Sequence, residues 1–414
     1  MRVTLIYSGI GVAGFDNNRP IGDREGSWIG HGIASIGAQV YDLGYDVNFI
    51  DLRQLSGFEE FEQTLEFANV FGISISAVDY YPALMTANII KKKFPESIVV
   101  VGGIHPSIHP EKYLIDIIDC IVIGEGEITF HKILSNLNTI PKIITGIQPD
   151  LNKISFVKRD LFNYENELNC SFTPWQKLPA ITMLAGRGCP YKCTYCQPAE
   201  NKVFGKPFRI RNVENIINEL ELLKRYNYES ITFWDDTFTF KKDWVLEFCK
   251  IYKEKINKPF TACSRADLIC HNEEIIERMK DAGCDCLVIG FESGSQRLLY
   301  LVKKGTTIEQ NKKAAKLCKK YDIKIFVTYM YGLPTETPEE SRMTYNMMNE
   351  INPDFKSPFY FNPIEGTEIY ELCDKKNLII DRDRTVTRTG MFIPALNGID
   401  YNYINELMGF YGDC

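Results

Sequence analysis

Three cysteines lie within eight residues, Cys189, Cys193 and Cys196, in the run Cys-Pro-Tyr-Lys-Cys-Thr-Tyr-Cys. Thiolates this close together repel one another unless a metal neutralises them. They follow Gly186-Arg187-Gly188, whose glycines permit a sharp turn, at the end of an apolar run at 181–185 that reads as a strand. Loops at the carboxyl ends of strands are where α/β barrels keep their chemistry. A structural zinc takes four protein ligands. No second Cys-x-x-Cys accompanies these three, and only His271 lies C-terminal to them. A ferredoxin-type cluster takes four cysteines. Three cysteines therefore leave one iron without a protein ligand, and an open position is the mark of a catalytic metal. The other cysteines of the 13 are scattered and read as small buried hydrophobes. That includes Cys263, Cys270, Cys284 and Cys286, which are close in sequence but fall in or beside strands.

The elements that must position this loop alternate between strand-like and helix-like patterns. The chain has 414 residues, 45% hydrophobic and 24% charged, enough for two or three domains with buried cores. Residues 1–135 carry strand candidates at 3–7, 47–51, 70–76, 98–101 and 120–123, separated by helical stripes such as Ile33, Ile36, Val40 and Leu43. This is the pattern of a doubly wound, Rossmann-like parallel sheet whose ligands sit at the strand carboxyl ends. Residues 136–178 lose the rhythm and read as a linker. From 179 to 370 the alternation resumes, with strands at 181–185, 230–235, 260–264, 286–291, 323–331 and 355–361. Six βα units are too few for a closed barrel, so a partial (βα)6 TIM-type barrel is expected. Residues 371–414 form an irregular C-terminal extension. Its aromatics, with those just before it, read mainly as packing.

Cys-x3-Cys-x2-Cys after a Gly-Arg-Gly turn, with Tyr195 before the last cysteine, resembles the radical SAM superfamily over about residues 180–370. The resemblance implies a [4Fe–4S] cluster on Cys189, Cys193 and Cys196, with the amine and carboxylate of S-adenosylmethionine on the open iron. A reduced cluster then gives one electron to the sulfonium, and the 5′-deoxyadenosyl radical formed abstracts hydrogen. The resemblance also implies S-adenosylmethionine contacts at successive strand ends. These are Tyr195; Asp235 and Asp236 in Phe-Trp-Asp-Asp-Thr-Phe; Arg265 and Asp267 in Cys-Ser-Arg-Ala-Asp; Glu292 and Ser293 in Gly-Phe-Glu-Ser-Gly; and Gly332 and Leu333 in Gly-Leu-Pro-Thr-Glu-Thr. Taken singly, Asp235, Asp236 or Arg265 reads equally well as a strand-end cap or ion pair.

The first domain resembles the cobalamin-binding type that precedes the radical SAM core in one large subclass. Val-Gly-Gly-Ile-His-Pro at 101–106 and Ile-Gly-Glu-Gly-Glu at 123–127 carry that resemblance. It implies cobalamin near Ser74, Ser76, Gly102, Gly103, His105, Gly124 and Glu125. The chain departs from the cobalt-ligating pattern, because none of its five histidines sits in Asp-x-His-x-x-Gly. His105 and His109 also read as surface or capping residues.

The implied activity is that of a cobalamin-dependent methyltransferase acting on an unactivated centre of a small molecule. Alternatives are a cobalamin-independent radical cyclase, dehydratase or rearrangement enzyme, and a non-catalytic iron–sulfur redox protein. An electron donor such as flavodoxin or ferredoxin is expected. The net charge of −7 argues against a nucleic-acid partner. No apolar stretch reaches the ~20 residues of a membrane span, and no signal peptide is read, so the expected compartment is the cytoplasm.

Overall fold

The computed structural model describes residues 1–10, 29–162, 164–196, 208–382 and 392–409. The chain forms two compact units, the first built on Met1–Ser171 and the second beginning at Phe172.

In the first unit, β1 (Arg2–Tyr7), β2 (Asp46–Asp51), β3 (Val70–Ser74), β4 (Ile98–Gly102), β5 (Cys120–Ile123) and β6 (Ile143–Thr145) form one parallel sheet in the order β2-β1-β3-β4-β5-β6. Side chains alternate across it, as the period of a strand requires. Val99, Val101 and Ile121 point into one apolar cluster with Ala83, Ala87 and Ile90 of the helix Tyr80–Lys93. Val100, Cys120 and Val122 point into the other, with Ile33 and Val40 of the helix His31–Asp42 and Phe130 of the helix Glu127–Leu134. Both faces are covered, so the sheet is doubly wound. Its order reverses between β1 and β3, which makes their carboxyl ends a topological switch point. There the Ser8 hydroxyl donates to the Ser74 carbonyl at 2.9 Å.

One expectation is corrected here. The stretch 136–178 is not merely a connector, because most of it belongs to the first unit. It supplies β6 and a fully buried ion pair, Arg159–Glu167, with both side chains 1% exposed. A three-residue edge strand with Ile143 40% exposed carries no alternation to read.

In the second unit, β7 (Ala180–Met183) leads by way of two short antiparallel strands, β8 (Gly186–Arg187) paired with β9 (Arg209–Ile210), to β10 (Ser230–Phe233). Then follow β11 (Phe260–Ser264), β12 (Cys284–Glu292), β13 (Lys324–Tyr331) and β14 (Phe355–Tyr360). The order is β7-β10-β11-β12-β13-β14, all parallel, with β7 and β14 as free edges: the expected partial barrel. The helix Val213–Leu223 buries Val213, Ile216, Ile217, Leu220 and Leu223, the stripe its spacing predicts, and Asn212 caps it by accepting from the Asn215 N–H at 2.8 Å.

The C-terminal extension is part of this unit's core. Cys373, Ile379 and Leu396 pack with Leu298, Val302, Met330 and Leu333, and Tyr195 lies against the same cluster. Tyr401 is buried, and its hydroxyl accepts from the N–H groups of Ala395 and Leu396 at 3.2 and 3.1 Å. Phe410 and Tyr411 lie outside the described residues. Thr367 caps the helix Glu368–Lys375 by accepting from the Tyr370 N–H.

Candidate active site: a cysteine loop held by buried charges

The loop that carries the cysteines is built from β7 outward. Asp235, at the end of β10, is 2% exposed, and its carboxylate accepts from the N–H groups of Ala185, at 3.0 Å, and Gly186, at 2.5 Å. Burial pushes this carboxyl up to about 7. The two backbone donors offset part of that, and neighbouring Asp236 adds to it. Gly188 turns the chain at φ +85°, a left-handed conformation that favours glycine. The reading of Asp235 as a ligand of S-adenosylmethionine therefore gives way to a backbone anchor for the cysteine loop. Asp236 differs. It is open to solvent but ringed by protein, which raises its pKa, and it accepts from the Gly188 backbone.

The sulfurs have polar neighbours. Cys189 Sγ lies 3.5 Å from Thr237 Oγ1, and Arg265 Nη1 points at Cys193 Sγ at 3.9 Å. Cys193 is buried and Cys196 exposed. The Thr194 N–H donates to the Val302 carbonyl at 2.9 Å, and the Thr194 carbonyl accepts from Ile369 at 3.1 Å. These bonds tie the loop to the segment after β12 and to the helix Glu368–Lys375. The Thr194 hydroxyl is buried inside the loop with no partner among the described residues.

Behind the last cysteine lies a buried triad. Glu292 Oε1 accepts from Tyr195 Oη at 2.9 Å and from Lys304 Nζ at 2.7 Å, while Lys304 Nζ is also 3.3 Å from Tyr195 Oη. Glu292 and Lys304 are 6% and 8% exposed at their side chains. Glu292 sits at φ +62°, where the register of β12 on β13 slips between Gly290 and Glu292. Irregularities of this kind re-aim a side chain, here toward Tyr195. Burial, and then Glu292, hold the Tyr195 phenol well above its ordinary pKa. Lys304 was missed in the sequence because Lys-Lys-Gly reads as a solvated turn. Thr194, Thr237 and Tyr191 had no sequence signal beyond adjacency to the motifs.

Four expected S-adenosylmethionine contacts are corrected. Ser293 is fully buried, bridging to Thr344 Oγ1 at 3.3 Å and accepting from the Ser295 N–H at 3.1 Å. Leu333 is fully buried in the apolar cluster. Gly332, at φ +78°, is covered by Tyr401, whose ring lies 3.0 Å from where a Cβ would be. Asp267 is committed to Arg265 at 3.0 Å.

In the first unit, Ser74, Ser76, Gly102, Gly103, Gly124 and Glu125 are partly exposed at the carboxyl ends of β3, β4 and β5 or just beyond. Ser76 is engaged with Asp79 in a capping box. Gly103, at φ +108°, packs so tightly on β3's continuation that a Cβ would lie 2.6 Å from the Ile75 carbonyl oxygen. Ser107 bridges the two glycine turns, donating to the Gly103 carbonyl at 2.6 Å and accepting from the Gly124 N–H at 2.9 Å. His105 is corrected: it is neither a surface residue nor placed among these partly exposed groups. It is 2% exposed, with Nδ1 2.5 Å from Tyr113 Oη and its ring against Tyr80. His109 is the residue before the turn Pro110–Tyr113.

The donor sets fit the two cofactors. Three unbridged cysteines in one loop, a buried cation against one sulfur and an orphaned hydroxyl within the loop suit an iron–sulfur cluster. The partly exposed peptide groups at the carboxyl ends of β3, β4 and β5 suit a corrinoid, since ligands of a doubly wound sheet bind there. Cys249, Cys284, Cys286 and Cys318 are buried thiols whose pKa burial raises, which is core packing.

The model of the radical SAM superfamily matches residues 183–348. Those residues form a radical SAM domain. The model of the B12 binding domain matches residues 21–134, so a cobalamin-binding-type domain precedes the radical SAM domain. An uncharacterized methyltransferase of Pyrococcus horikoshii is 29% identical over 354 residues, 82% of this chain and 75% of the relative. The anaerobic magnesium-protoporphyrin IX monomethyl ester cyclase of Rubrivivax gelatinosus is 27% identical over 381 residues, 84% of this chain and 67% of the relative. Among solved structures, the radical S-adenosylmethionine methyltransferase TsrM of Kitasatospora setae, with cobalamin and a [4Fe–4S] cluster bound, superposes with a TM-score of 0.66 at 15% identity. It covers 91% of this chain and 75% of TsrM. The cobalamin-dependent S-adenosylmethionine radical enzyme OxsB gives 0.70 at 17% identity, covering 99% and 66%. These likenesses establish the fold: a Rossmann-like sheet followed by a radical SAM barrel. The radical SAM domain makes the chain an enzyme that uses a [4Fe–4S] cluster and S-adenosylmethionine. Among the described residues no helix is long and apolar enough to cross a membrane.

Proposed function

We propose that this radical SAM enzyme is a cobalamin-dependent methyltransferase acting on an unactivated carbon or phosphorus centre of a small molecule. The observation that carries the reading is the pairing, in one chain, of the Arg265-flanked cysteine loop with a B12-binding domain. When bound, the cluster supplies the electron that cleaves S-adenosylmethionine, and the corrinoid supplies methyl-carrying chemistry. The chain's own residues bind and orient. Asp236, the accessible carboxylate at the end of β10, takes the amino group of S-adenosylmethionine. Asp235 holds the loop backbone, and Glu292 with Lys304 holds Tyr195. A flavodoxin or ferredoxin in the cytoplasm supplies the electron. The cyclase relative supports a second reading, radical ring closure without methyl transfer.

The test is anaerobic incubation of reconstituted protein, with and without hydroxocobalamin, using S-adenosylmethionine labelled in its methyl group. Methyl transfer predicts a corrinoid spectrum that travels with the protein and release of both 5′-deoxyadenosine and S-adenosylhomocysteine. Release of 5′-deoxyadenosine alone, whether or not corrinoid is bound, favours the cyclase class. Release of neither sinks both readings.

A further inference from the structure

We infer that Arg265 sets the reduction potential of the cluster by placing a fixed positive charge and an N–H donor on the Cys193 sulfur. The inference rests on the radical SAM reading and goes beyond it, because the resemblance points to Arg265 as a contact of S-adenosylmethionine. The geometry leaves that side chain little freedom to reach a substrate. Arg265 is 5% exposed. Nε donates to Asp267 at 3.0 Å, Nη2 donates to the Lys304 carbonyl at 2.6 Å, and Nη1 faces Cys193 Sγ at 3.9 Å. The guanidinium lies over the Tyr191 ring with Cζ 3.5 Å from its centroid. Two of its four partners, Tyr191 and Cys193, are in the cysteine loop itself, so the cation is fixed relative to the cluster ligands.

A guanidinium is not deprotonated in proteins, so this positive charge is fixed. Reduction adds one electron to the oxidised cluster, taken from a one-electron donor, and no bond to the protein forms or breaks. The reduced cluster carries one more negative charge, so a nearby fixed cation favours it over the oxidised form. Hydrogen bonds to cluster sulfurs act in the same direction. Asp267, paired with the guanidinium through Nε, offsets part of that field.

Opposite signs distinguish an electrostatic role from a packing role. Wild-type, Arg265→Gln, Arg265→Lys and Asp267→Asn proteins are reconstituted anaerobically with iron and sulfide. Each is titrated with dithionite and redox mediators, following the reduced cluster by electron paramagnetic resonance. At the wild-type midpoint, the reduced-to-oxidised ratio should fall about tenfold in Arg265→Gln, equivalent to ~59 mV for a one-electron couple. Arg265→Lys should fall between the two, and Asp267→Asn should shift the ratio the other way. An Arg265→Gln cluster with full iron content and the wild-type potential overturns the inference, as do Gln and Asn variants that shift in the same direction. If Arg265→Gln holds no cluster, Asp267→Asn decides: a raised potential supports the inference and an unchanged one overturns it. A wild-type chain that takes up no cluster overturns the radical SAM reading as well, which separates the two failures.

Discussion

Asp235 and Asp236 are adjacent and chemically identical, yet they do different work. Asp235 is turned inward onto two peptide N–H groups, and Asp236 faces solvent. Asp235→Ala strands two buried donors, and each unsatisfied buried group costs about 1–3 kcal/mol. The variant should lose about 2–4 kcal/mol in urea unfolding of the apo-protein and hold less iron after reconstitution. Asp236→Ala should fold normally and weaken S-adenosylmethionine binding, read by calorimetric titration of the reconstituted protein. Glu336 offers a pH test. Burial raises it to about 7 from 4.5, with the Ser341 hydroxyl and the Leu333 N–H offsetting part of the effect. The folded state keeps this proton up to about pH 7, while the unfolded chain releases it near 4.5. The associated stability is therefore complete below 4.5 and is lost as pH rises to 7. Glu336→Gln keeps an acceptor for Leu333 and can pair with Ser341. Relative to wild type it should gain stability between pH 5 and 8, by on the order of 3 kcal/mol at most.

Among the elements, the strand ends carry the information. The six barrel strands fall within a few residues of where their apolar runs place them, because all but the edge strand β14 are largely buried and read as continuous runs. The first unit's glycine turns were legible too. Gly103→Ala combines a left-handed φ with a 2.6 Å approach to a carbonyl oxygen. It should destabilise the first unit by roughly 2 kcal/mol or more, seen as a lower midpoint in thermal unfolding. The β6 edge and the β8–β9 pair were not legible, since two- or three-residue strands have no periodicity. The bulge at Glu292 was equally invisible: Gly-Phe-Glu-Ser-Gly announces a strand end but not which way its carboxylate turns.

Across the whole molecule, each unit has its own core, two apolar clusters about the first sheet and the aromatic and aliphatic packing of the barrel. Cofactors that bind only the folded state stabilise it by mass action, about 2.7 kcal/mol at a hundredfold excess over Kd. Scanning calorimetry should then show two transitions. Cluster reconstitution should raise one and hydroxocobalamin the other. A single transition moved by both additions would show that the units unfold together. The C-terminal extension should melt with the barrel, because Cys373, Ile379 and Leu396 complete its apolar cluster.

The sequence by itself determined the candidate cluster loop, the radical SAM motif and the order of the two sheets. Those depend on local spacing: three thiols within one loop, and apolar runs at the period of strands and helices. Tertiary structure alone decided how the surrounding polar residues divide their labour. Asp235, Ser293 and Leu333 sit in motifs that announce ligand binding, yet their side chains are committed to backbone anchoring, a buried hydroxyl bridge and apolar packing. Lys304 sits in a run that announces solvent, yet it is buried beside the loop. The physical reason is that a polar side chain's role is set by which partners its burial forces on it. Those partners come from segments up to about a hundred residues away, as Tyr195 and Lys304 do, 109 positions apart.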